Sequence, residues 1–218
     1  MIPQPEFGRY QAGSGEELLL GFGHKFDRQV LFIESFFEER NLLRRTVVAL
    51  ARRLAESGIG STIPDLPGCG DSLHDLHDIR LADWRNAVAN AGARLKQRSG
   101  GPLYIASIRA GALLDDATNA AGRWRFVPTG GREIMRHLRR AALLATDEIS
   151  FLGYDIGPKL QDELELSRPA QGTGPMHEYV EERRGVPLWR RAEPGEDADL
   201  VEAVALDLIA WIEKCGRR

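Results

Sequence analysis

Cysteine is scarce in this chain: Cys69 and Cys215 are the only two in 218 residues. They lie far apart, so no disulfide framework holds the fold together. No apolar run reaches the roughly 18 residues that a membrane-spanning helix requires, and no apolar leader opens the sequence, so a reducing cytoplasm is the expected location. An excess of one charge is missing as well. The 29 Lys and Arg face 32 Asp and Glu, giving a net charge of −3 and a pI near 6.0. Such a balance provides no global attraction to nucleic acid or to an anionic membrane, and any charge-driven binding must come from a local patch. Internal repeats and low-complexity tracts are absent, and no cofactor is expected.

What is present fits a globular chain. With 43% hydrophobic and 28% charged residues, residues 1–218 are expected to form one domain with a sizeable core. The run "QVLFIE" at 29–34 reads as a strand. In the stretch that follows, Leu43, Val47, Leu50, Ala51 and Leu54 recur at helical spacing, and Gly58 fits its C-terminal cap. "IGSTIP" reads as a strand running into the glycine-rich turn "DLPGCGDS", and Leu81, Trp84, Val88, Ala91 and Leu95 share one face of a second helix. "PLYIASI" is a strand, Ala110 to Ala121 a helix, "RWRFVPT" a strand and Gly131 to Ala145 a helix. In the last third, "EISFLGYDIGPKLQDELEL" reads as strand then short helix, "RPAQGTGP" as a loop, "VPLWRR" as a strand and Ala198 to Lys214 as a closing helix. Alternation of this kind implies an α/β architecture with a mostly parallel central sheet and helices on both faces. Ligand sites in such sheets lie beyond the carboxyl ends of the strands, which here means Glu34 to Asn41, Asp65 to Ser72 and Ser107 to Gly111.

The third of these segments carries the main question. Strand, sharp turn and helix in "PLYIASIRAGALLDDA" match the layout of the G-x-S-x-G nucleophile elbow, yet Ser107-Ile108-Arg109-Ala110-Gly111 places an arginine at its centre. Several segments together resemble the exosortase A system-associated hydrolases, type 2, of the α/β-hydrolase superfamily: "FFEERNLLRR" (36–45), "PDLPGCGDS" (64–72), "LADWRNAVANA" (81–91), "IRAGALL" (108–114), "FLGYDIGPKLQDELELSRP" (151–169) and "PLWRRAEPGEDADLVEA" (187–203). That resemblance implies an α/β-hydrolase-like fold and a bacterial cytoplasmic setting, in an exopolysaccharide or PEP-CTERM protein-sorting pathway. An arginine at the elbow agrees with the family pattern. Fold alone does not settle chemistry.

A serine mechanism needs a nucleophile, a histidine and a carboxylate behind it. A guanidinium that stays protonated cannot attack a carbonyl. Reading Ser107 as the nucleophile instead puts Ile105 and Arg109 where glycines belong. No histidine follows the last expected strand, and His177 in "GPMHEY" is the one late candidate; no histidine is expected within reach of the turn. No catalytic residue is assigned. An oxyanion-hole scaffold would use the backbone N–H of Ala110 and one near Phe36 or Phe37.

"HDLHDI" offers His74 and His77 without a third ligand at metal spacing, so no metal is expected. Cys69 is a thiol without a placed base. Glu38, Glu39 and Asn41 either orient a polar ligand or cap the helix after them. Arg132, Arg136, Arg139 and Arg140 form a helical stripe, preceded by Arg123 and Arg125: a solvated face, or a basic rim for an acidic ligand. Only the 21 residues 130–150 separate "RFVPT" from "FLGYD", so the lid is expected to be reduced or absent.

Two readings stand. One is a ligand- or partner-binding protein with Arg109, Ala110, Phe37, Glu39, Asn41 and Ser107 around its site, taking a small anionic or acyl ligand or a partner protein or glycan of the pathway. The other is a hydrolase of a small ester, thioester or acyl substrate with a non-standard site, using Glu39 or Asp65 as base. Arg109 itself is expected either to bind an anion at the start of the following helix or to fold back onto Glu38, Glu39 or Asp65 as a strut.

Overall fold

The central strands show no polar alternation: β3 (Gln29–Ile33), β4 (Gly60–Pro64), β5 (Leu103–Ile108) and β6 (Gly122–Phe126) are buried along their whole lengths. Strands of this kind must be covered on both faces. The computed structural model describes residues 3–144, 151–172, 174–180, 186–195 and 197–217. It also contains the hairpin strands β1 (Glu6–Ala12) and β2 (Gly15–Phe22) and the edge strand β7 (Met176–Tyr179). All seven lie in one sheet of order β1-β2-β4-β3-β5-β6-β7. The N-terminal hairpin joins antiparallel through β2 and β4, while β4, β3, β5, β6 and β7 run parallel.

Two-residue periodicity sorts the strand side chains into two cores. Leu31, Ile33, Leu103 and Ile105 face α2 (Leu81–Ser99) and residues from α3 (Gly131–Leu144) and α4 (Pro158–Leu166). Val30, Phe32, Tyr104, Ala106, Trp124 and Phe126 face α1 (Phe37–Glu56) and α5 (Ala198–Cys215). Gly122 admits α5 at close range, since a Cβ there would lie 2.7 Å from the Trp211 ring.

Several elements differ from expectation. The helix expected from Ala110 is one tight 3-10 turn, Arg109–Leu113. Beyond it, Asp115 is drawn fully into the interior: Arg125 Nε and Nη2 donate to its carboxylate at 2.7 and 3.0 Å, Ser107 Oγ at 3.1 Å, and Arg123 Nε takes its carbonyl at 2.8 Å. With that carbonyl claimed by a side chain, no helical ladder continues through it. "PLWRR" forms a 3-10 turn, Leu188–Arg190, because Leu188 and Trp189 turn inward to the core. The edge strand is instead Met176–Tyr179, immediately after the expected loop; it pairs with β6 from Arg123↔Met176 to Phe126↔Tyr179. Residues 145–150, including part of the expected "EISFL" strand, lie outside the described residues, and Phe151 makes only an isolated bridge to Tyr154.

Candidate functional site

Strand β5 ends at Ile108 and the next residue, Arg109, has φ of +53°. A side chain at positive φ is costly, and it turns sharply away from the strand that delivers it. The close approach falls to Gly111, where a Cβ would stand 2.1 Å from the Ile33 carbonyl oxygen and 2.7 Å from that of Glu34. The elbow is thus pressed against the end of β3 and the start of the loop that leads to α1.

The Arg109 side chain is only 4% exposed. Its Nε and Nη2 donate to Glu39 Oε2 and Oε1 at 3.2 and 3.1 Å, and Nη1 donates to the Val127 carbonyl at 3.0 Å. The guanidinium lies 4.5 Å from the centroid of the Trp189 ring, a cation–π arrangement. Its fork is therefore engaged internally: Arg109 is a strut between the elbow, α1 and the loop after β6. The expected anion site at the elbow loses its helix, since the turn after Arg109 is only five residues long.

Glu39 is held from several sides. Ser35 Oγ donates to Oε2 at 2.8 Å, and the His137 ring stands with Nδ1 4.0 Å from Oε1. Burial pushes this carboxyl up, but His137, Arg109 and Ser35 together outweigh it and hold it below the usual range. The pair sits under a cleft of about 710 Å³. Phe36, Phe37, Leu42, Ile134, Leu138, Leu152 and Trp189 supply its apolar surface, while Arg136, Arg140, Arg190 and Arg191 stand on it with Glu38, Glu39 and His137. Phe36 is seated on Trp84 with ring centroids 4.5 Å apart, which fixes the floor from beneath.

Backbone strain concentrates here. Among the described residues, Phe37, Arg109, Val127 and Leu152 are the non-glycine residues at positive φ, at +53°, +53°, +41° and +56°. Phe37 and Leu152 line the cleft, and the other two are joined by the Arg109 to Val127 hydrogen bond. Each such residue costs about 1–3 kcal/mol and persists only where surrounding contacts over-determine it.

The remaining sequence candidates separate. Phe37 and Glu39 line the cleft, whereas Ala110 and Ser107 are fully buried. Asn41 neither caps α1 nor lines the cleft; its Nδ2 donates to Tyr154 Oη at 2.7 Å. Asp65 accepts from Arg40 at 2.6 Å and lies 3.4 Å from Arg44. Burial, against the pull of Arg40, pushes the Cys69 thiol up to about 12, so it stays protonated and is a poor nucleophile. His74 meets Glu17 at 2.8 Å and His77 meets Asp155 at 3.0 Å; among the described residues no three metal-type side chains converge. His177 bonds Asp207 at 3.0 Å, and that carboxylate also accepts from Trp124 Nε1 at 2.6 Å, tying β7 and β6 to α5.

The arginine stripe divides as well. Arg123 and Arg125 point inward to Asp115, Arg139 pairs with Glu165, and Arg136 and Arg140 line the cleft. Sequence reasoning missed His137, which sits between two stripe arginines and four residues after Glu133, its partner at 3.8 Å. That i,i+4 spacing was the available signal.

Strand order, elbow geometry and the glycine contact at β3 together decide the architecture. The chain has the α/β-hydrolase fold. Solved structures agree: a provisionally named hydrolase from Agrobacterium vitis S4 superposes with a TM-score of 0.55 at 15% identity, covering 82% of this chain and 78% of that one. An esterase from Pyrococcus furiosus gives a TM-score of 0.51 at 12% identity over 77% of this chain; the match spans 64% of the esterase, less than two thirds of its length. Identities this low speak to the fold and not to the reaction. No protein-family model matches the sequence, and a search of curated proteins finds no match.

Proposed function

We propose that this chain is a non-hydrolytic member of the α/β-hydrolase fold that binds a ligand in the cleft above Glu39. The observation that carries the reading is the elbow: its apex residue is Arg109, at positive φ, buried, and bonded to Glu39 and the Val127 carbonyl. A protonated guanidinium provides no electron pair for attack on a carbonyl. The alternative, a hydrolase with Glu39 or Asp65 as base, is disfavoured because both carboxylates are already committed to arginines, and a lowered pKa makes Glu39 a weak proton acceptor. The setting, a cytoplasmic accessory of a bacterial exopolysaccharide or protein-sorting pathway related to the exosortase A system, rests on the sequence segments alone.

The test is a fluorophosphonate probe together with a panel of p-nitrophenyl esters. Neither labelling nor turnover above background is expected for the wild type. Turnover that Glu39→Gln or Asp65→Asn abolishes would restore the hydrolase reading.

A further inference from the structure

We infer that the cleft takes a single-chain amphiphile with an anionic end, such as a fatty carboxylate or an alkyl phosphate, its chain on the aromatic floor and its head among the rim arginines. The inference deepens the reading of the cleft as a binding site and rests on it. Volume comes first: about 710 Å³ falls within the range of roughly 300–1,000 Å³ typical of small-molecule sites.

Shape and chemistry follow. Phe36, Phe37, Leu42, Ile134, Leu138 and Leu152 supply apolar surface to the cleft, which suits an alkyl chain better than a sugar. The charged side chains of the lining are predominantly arginines. Four arginines stand against two glutamates, and one of these, Glu39, is already neutralised by Arg109. Arg136 and Arg140 are one helical turn apart on α3, exposed, and without an ion pair to any described residue. From the other wall come Arg190, 3.8 Å from Glu133, and Arg191, whose Nε donates to the Val186 carbonyl. Two open forks beside an apolar trough match a carboxylate or phosphate at the end of a chain.

The test is calorimetric titration of the full chain with monomeric dodecanoate, dodecyl phosphate and dodecanol below their aggregation limits. Dodecanoate and dodecyl phosphate should bind, with an affinity that falls as salt rises, and dodecanol at least tenfold more weakly. The double variant Arg136→Glu/Arg140→Glu should lose at least tenfold for the anions while its unliganded melting temperature is unchanged. Arg132→Glu, on the same helix but off the cleft, should behave as wild type. Ala141→Trp, which fills the trough, should weaken anions and dodecanol alike. Equal binding of dodecanol and dodecanoate, or charge reversal without effect, overturns the inference. So does attachment to phosphatidylglycerol vesicles with no uptake of monomeric amphiphile. Turnover of p-nitrophenyl dodecanoate with anion preference intact would instead overturn only the non-hydrolytic reading.

Discussion

At the scale of single residues, the Arg109–Glu39 pair is the decisive contact, because neither group is left to water: they are 4% and 7% exposed. Removing one member of a buried pair strands the other, a loss of about 3–5 kcal/mol, whereas replacing both with apolar groups of similar volume is often near neutral. Arg109→Ala is therefore expected to be strongly destabilised in denaturant unfolding, and Arg109→Met/Glu39→Leu to recover most of the loss. Additive single-variant effects would show that the pair is not coupled. The same carboxylate sets an acid limb. Its folded pKa is lowered by its partners despite burial, so its contribution is full above the unfolded value of about 4.3 and disappears as pH falls through the folded value. Glu39→Gln should flatten the decline of stability below about pH 4.3, as read from unfolding midpoints at a series of acid pH values.

Among the elements, the β5 elbow and the β3–α1 loop depend on one another through Gly111. A side chain at this position would begin 2.1 Å from the backbone oxygen of Ile33, the last residue of the interior strand β3, and backbone does not yield as a flexible side chain does. Gly111→Val should cost more than the 1–3 kcal/mol usual for overpacking and should lower soluble yield, while Gly13→Ala, with nothing within 4 Å of its Cβ, should lose only the modest amount due to its positive φ. Comparable melting temperatures for the two variants would show that the elbow can move away from β3.

For the whole molecule, both cores are built on the same strands, since neighbouring residues such as Leu31 and Phe32 point to opposite faces. Neither layer can lose its packing while the sheet persists, so one cooperative unfolding transition is expected even at this length. The tryptophans offer a check: Trp84 belongs to one core, and Trp124, Trp189 and Trp211 to the other. Denaturant midpoints from the fluorescence of Trp84→Phe, which reports only the second core, should coincide with those from backbone circular dichroism. Separate midpoints would divide the chain into independently folding layers.

The sequence by itself determined the central strands and the long helices, because continuous apolar runs and 3.6-residue spacing are local properties of the chain. It also placed Arg109 at the centre of the elbow pattern, with Gly111 at its closing glycine. What only the tertiary structure decided was which charges meet. Glu39 finds Arg109 across 70 residues, Arg123 and Arg125 turn inward while Arg136 and Arg140 stay out, and His137 arrives beside a carboxylate from a different wall. Strand Met176–Tyr179 was equally illegible: at a sheet edge, exposed and half-buried side chains alternate over only four residues, and its pairing with β6 makes it a strand. The physical reason is common to these cases. Burial and hydrogen bonding between distant segments set a charged side chain's partner, and one sequence records the charge without the neighbour that the fold will supply.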